Sequence, residues 1–92
     1  MENPILLWDY LADFVLTSSL KMPATKKLYF GNLYDEKQIE VNVEELEEVL
    51  SEMLESMLSE VEQSNLVLEY SFDQEEKLTI KLTQRNGKSS SF

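Results

Sequence analysis

Apolar and polar residues alternate most regularly near the end of the chain. Leu66, Leu68, Tyr70 and Phe72 share one side of "LVLEYSF", and Leu78, Ile80 and Leu82 share one side of "KLTIKLT". A period of two places such residues on one face of a strand. The intervening "DQEE" is turn-forming, so the two runs predict an antiparallel hairpin. A second pair of runs lies upstream. Leu28 and Phe30 alternate within 26–32, Ile39, Val41 and Val43 alternate within 38–43, and the polar "NLYDEKQ" separates them. These are read as another hairpin, with Gly31 marking a bulge or a strand end.

Two stretches repeat at three and four residues instead. In the first, Asn3 reads as an N-cap with Pro4 at the first helical position, and Lys21 and Pro23 suit the stop. The spacing predicts a helix over 4–20. Its apolar residues, from Ile5 to Val15, leave only Asp9, Asp13 and Thr17 as a narrow polar stripe, so burial on more than one side is expected. In the second, Asn42 with Glu45 three residues on makes a capping-box-like start, and Val41 and Leu46 sit where a hydrophobic staple would place them. Val43, Leu46, Val49, Leu50, Met53, Leu54, Met57, Leu58 and Val61 follow on one side, covering about half the circumference at about 100° per residue. Its expected end is near Ser64, with Asn65 in the left-handed C′ position.

The order is helix, hairpin, helix, hairpin. It predicts a single α+β domain over 1–83: a four-stranded antiparallel sheet with both helices packed on one face. The polar "QRNGKSSSF", 84–92, is read as a disordered tail.

Composition narrows the chemistry. The 92 residues include no cysteine and no histidine, which removes disulfides, the usual zinc sites and the Ser-His and Cys-His pairs. "DQEE" offers oxygen ligands but lacks the glycine and the spacing of a calcium loop. No cofactor, no metal and no enzymatic activity are expected, since a domain this small leaves little room for a pocket. The apolar N-terminal stretch has no basic residue before it and is interrupted by Asp9 and Asp13, so it is read neither as a signal peptide nor as a membrane span. The lack of cysteine suits a reducing compartment, and a cytoplasmic location is the expectation.

Charge changes the picture most. The formal net charge is −10, which disfavours direct binding to nucleic acid or to anionic membrane and favours basic proteins. From Gln38 to Glu76 there are thirteen acidic residues and no basic one. Segment 44–63 alone holds eight glutamates. Like charges one turn apart destabilise a helix by a few tenths of a kcal/mol per pair. Two readings compete. Glutamate is a good helix former, and the face can simply be solvated. Alternatively, Glu44, Glu45, Glu48, Glu52, Glu55 and Glu62 form a partner-binding face for a basic protein surface. Eight charges over about 30 Å of helix give roughly one per 4 Å, and the five opposite the apolar side, Glu44, Glu48, Glu52, Glu55 and Glu62, are sparser, near one per 6 Å. A DNA strand carries one per about 3.4 Å and a duplex one per about 1.7 Å. Partial imitation of a phosphate backbone therefore fits one strand better than two, and a nucleic-acid-binding protein or nuclease is the kind of partner it suits. The expected function is that of a small acidic binding protein or inhibitor. The alternative is an assembly module that forms a homodimer through the wide apolar arc of the second helix, where Met53 and Met57 lie. Trp8, Tyr10 and Phe14 are expected in the core, and Tyr29 and Tyr34 at the edges of a turn.

Overall fold

A computed structural model describes residues 3–60 and 64–85. The chain runs β1 (Asn3–Leu6), α1 (Leu7–Lys21), β2 (Lys26–Phe30), β3 (Gln38–Val41), α2 (Val43–Glu60), β4 (Ser64–Phe72) and β5 (Leu78–Arg85). The mixed α+β class holds, but the single four-stranded antiparallel sheet does not form. The strands make a two-stranded sheet, β1–β3, and a three-stranded sheet ordered β2–β4–β5.

The C-terminal hairpin forms as its alternation predicts. Leu68 faces Leu82, Tyr70 faces Ile80 and Phe72 faces Leu78 across an antiparallel pairing. Its turn is held by Asp73, whose carboxylate accepts the N–H groups of Glu75 (2.8 Å) and Lys77 (2.9 Å). Glu76 closes the turn at φ 64, in the left-handed region. β5 runs to Arg85, two residues into the segment read as a tail, and 86–92 lie outside the described residues.

The upstream hairpin is a correction. Both strands exist, but they do not pair with each other. β2 pairs in parallel with β4, with Leu28 opposite Leu66 and Phe30 opposite Leu68. β3 pairs antiparallel with β1, with Ile39 opposite Ile5. The reason lies in the segment 31–37, whose polar groups are engaged away from any hairpin turn. The Gly31 N–H donates to the Leu68 carbonyl at 2.9 Å, so β2 ends there and the ladder runs one step further. The Asn32 side chain then accepts the Tyr70 N–H (2.8 Å) and donates to the Tyr70 carbonyl (2.9 Å). The β4 strand offers β2 a longer and more apolar partner than β3 does.

The N-terminal N-cap reading is also corrected. Asn3 precedes proline, which drives it extended, and Pro4 is tolerated in a strand with an open edge. Residues Asn3–Leu6 therefore pair with β3, and α1 begins only at Leu7. Its N-cap, Leu6, supplies no side-chain hydrogen bond. The Leu7 N–H instead donates to the Lys37 carbonyl at 3.1 Å. At α2 the expected cap is present: the Asn42 side-chain oxygen accepts the Glu45 N–H at 3.1 Å. The far end differs from the expectation. β4 begins at Ser64, so Asn65 is a strand residue facing Lys27 and Arg85, not a helix C′.

Leu7, Leu11 and Val15 of α1, Leu28 of β2, Leu50 and Leu54 of α2, and Leu66, Leu68 and Tyr70 of β4 form one buried cluster. Both helices thus share a core with the apolar side of the β2–β4–β5 sheet. Trp8, Tyr10 and Phe14 pack against it, half-buried. Burial of α1 is broad but incomplete: Trp8, Tyr10 and Phe14 flank the buried stripe of Leu7, Leu11 and Val15, while Leu16 and Leu20, beside the polar stripe, are 62% and 80% exposed.

Candidate functional site

The acidic helix α2 turns Leu50 and Leu54 into the core and Glu44, Glu45, Glu48, Glu52 and Glu55 to solvent. Glu62 lies outside the described residues. The five exposed glutamates form a ridge with two different flanks. On one side, Glu55 lines a groove between the helices together with Phe14, Ser18, Lys21 and Met22 of the α1 end. On the other, Glu52 and Glu45 border grooves lined by Val49, Met53, Met57 and Leu82 and by Val41 and Leu46. Glu48 stands between these flanks by the helical repeat.

Neutralisation of this ridge from elsewhere in the fold would have undone the charge argument. Among the described residues the ion pairs are Lys37–Glu76 (3.1 Å) and Lys77–Glu75 (3.7 Å), and neither touches α2. Lys21 shares a groove with Glu55 without an ion pair to it. Lys26 does reach α2, but its ammonium donates to the Leu58 carbonyl in the last turn. It therefore serves the helix C-terminus, where α2 has no basic residue of its own.

Sequence reasoning left Glu47 out of the site. On the helix projection it falls beside the core, yet it is exposed at the seam with α1. Burial, then Glu47 and Asp13, push the Tyr10 phenol above its ordinary value. The acidic surface therefore crosses from α2 onto α1 through Glu47 and Asp13. No periodicity within one helix could have revealed this, because it depends on how two helices are set side by side.

A second cluster sits on the opposite use of charge. The Tyr70 hydroxyl donates to the Asp35 carboxylate at 2.5 Å, and the Lys37 N–H donates to the same carboxylate at 2.9 Å. These bonds, Tyr70's first, hold the Asp35 carboxyl below the usual carboxylate range. Burial, reinforced by Asp35, pushes the Tyr70 phenol up. The tyrosine thus stays protonated and the aspartate ionised, which makes a fixed tether between the 31–37 segment and β4. Around it stack Trp8, Phe30, Tyr34, Tyr70 and Phe72, with ring centroids 5.0 to 6.1 Å apart. Lys37 lies 4.4 Å over the Phe72 ring. Tyr34, 58% exposed, packs edge-on to Trp8, and Tyr29 is 45% exposed on the outer side of β2.

Among the described residues, no group of three or more aspartates and glutamates is arranged to hold a metal ion, and no helix is long and apolar enough to cross a membrane. Comparison with protein-family models, with curated proteins and with solved structures gives no match.

Proposed function

We propose that this protein is a non-enzymatic acidic binding protein that occludes a basic surface on a protein partner. A nucleic-acid-binding protein or nuclease fits best, with the α2 ridge partly imitating a phosphate backbone. One observation carries the reading: Glu44, Glu45, Glu48, Glu52 and Glu55 are exposed together, and no described cation pairs with them. Glu44 and Glu48, and Glu48 and Glu52, repel at four residues; Glu45 and Glu48, and Glu52 and Glu55, repel at three. Each such pair costs a few tenths of a kcal/mol in isolation and is relieved when a cationic surface docks. Five charges from Glu44 to Glu55 span about 17 Å, or roughly one per 4 Å, close to the repeat of one nucleic-acid strand.

The test begins with a low-salt pull-down eluted by a salt gradient, with partners identified by mass. Binding of the partner then weakens steeply with salt, and Glu52→Lys with Glu55→Lys slows association more than it speeds dissociation. A double variant that binds as the original chain does would remove the acidic ridge from the contact.

The alternative is assembly of a homodimer through the α2 arc. It is favoured by Val49, which is 53% exposed, beside the half-buried Met53 and Met57. Methionine suits adaptable contacts. Analytical ultracentrifugation separates the two readings: a dimer broken by Met57→Glu supports assembly, and a monomer supports the acidic contact.

A further inference from the structure

β5 is the outer strand of the β2–β4–β5 sheet, and among the described residues no strand pairs with its free edge. The strand is defended there on one face only. Natural edge strands are blunted by proline, by bulges, by charges pointing inward or by charged side chains on the edge, lysine above all. β5 carries Lys81 on the bare face, but its core side has no such device: Leu78, Ile80 and Leu82 alternate inward without a charge. The opposite edge, β2, is five residues long and carries Lys26 and Lys27.

Helix α2 packs against β5. Val49, Met53, Ser56 and Met57 form a groove with Leu82 of about 430 Å³, and Glu52 stands at its side. A neighbouring groove shares Val49 and is bordered by Glu40 and Glu45. On the central strand β4, Leu66 and Leu68 are buried; on β5, Leu78, Ile80 and Leu82 are only half-buried. Val49, Met53 and Met57 therefore keep apolar surface beside β5 that the three described strands leave uncovered. One more strand would lie about 4.8 Å out from β5, with alternate side chains directed toward that surface.

We propose that the free edge of β5 receives an extended segment of the partner as an added strand. Apolar side chains at every second position fill the groove under Val49, Met53 and Met57, and lysine or arginine at the flanks meets Glu45 and Glu52. The inference rests on the acidic-contact reading and specifies the partner's chemistry: a cationic segment with an alternating apolar centre. Charge complementarity selects it over a second copy of this chain. A symmetric pairing of two β5 edges would bring a second set of Glu45 and Glu52 carboxylates to the same grooves, between chains that each carry −10.

The probe is a synthetic nonapeptide, Lys-Lys-Val-Thr-Val-Thr-Val-Lys-Lys with blocked ends, added to the full chain at low salt. Its control has the same composition with the three valines contiguous. Binding is read by calorimetry, and amide exchange along β5 by NMR. The alternating peptide should bind at one per chain, at least tenfold more tightly than the control. It should slow exchange at alternate β5 amides by tenfold or more. Val49→Gln with Met53→Gln leaves the charge unchanged and should weaken it by a similar factor, with exchange in β4 reporting that the fold persists. Equal, salt-sensitive binding of both peptides with β5 exchange unchanged overturns the added strand while leaving the acidic ridge in place. Binding of neither peptide, or binding untouched by Glu52→Lys with Glu55→Lys, overturns both. β5 amides already protected in the free chain, with a dimeric mass in the ultracentrifuge, assign the edge to a second copy and overturn the proposal.

Discussion

Asn32 acts as a peptide group. Its side-chain amide accepts from and donates to the Tyr70 backbone, so the parallel ladder of β2 and β4 continues after β2 itself has ended. Asp35, three residues on, fastens the same segment to the Tyr70 hydroxyl. Because the Asp35 carboxyl is held below its ordinary value, this tether contributes stability that is complete above the unfolded value near pH 4. It is lost as pH falls through the lower folded value. The Tyr70 phenol has the opposite sign: its pKa is raised, so its contribution holds up to about pH 10 and is lost as pH rises through the folded value. Tyr70→Phe is therefore expected to destabilise the protein more at about pH 6 than at about pH 2.5. Urea unfolding of both proteins at the two pH values checks this, and an equal difference at both would show that Asp35 is not the acceptor that matters. None of this was legible in "NLYDEKQ", which reads as turn chemistry from its residue types alone.

At the scale of elements, α2 was the most legible part of the chain. Its start at Asn42 and its apolar face followed from local spacing, since N-capping and a period of 3.6 depend on neighbours a few residues away. Its charge conflict was equally visible. Glu52 repels Glu48 four residues before it and Glu55 three residues after it. Glu52→Lys converts both into attractive pairs and is expected to stabilise the fold by about 0.5 kcal/mol at low salt while weakening partner binding. The urea midpoint reads the first effect and the pull-down the second. An unchanged or lower midpoint would mean that the ridge costs the fold nothing, which removes the reason for treating it as kept for function. The C-terminal cap of α2 was not legible, because Lys26 reaches Leu58 from another element. The start of α1 was misread for the same reason: its first N–H is satisfied by Lys37, not by Asn3.

At the scale of the whole molecule, the charge is a long-range load on the fold. A net −10 on 92 residues repels itself across distances longer than any one pair, and the Debye length shrinks from about 30 Å at 0.01 M salt to about 3 Å at 1 M. The melting temperature is therefore expected to rise with sodium chloride over that range, as followed by circular dichroism; a flat or falling curve would show that the carboxylates do not strain the compact state. The sequence by itself determined the type of the two long helices and of the strands from Lys26 onward, the apolar face of α2 and of the C-terminal strands, where that hairpin turns and that α2 carries an unrelieved row of glutamates, because all of these depend on residues close together along the chain. Only the tertiary structure decided that β2 joins β4 instead of β3, that Asn3–Leu6 forms a strand, that the acidic surface crosses to α1 through Glu47, and that β5 has an edge with no strand partner among the described residues. Those outcomes are set by competition among distant partners for the same backbone groups and apolar faces, and local alternation is the same whichever partner wins.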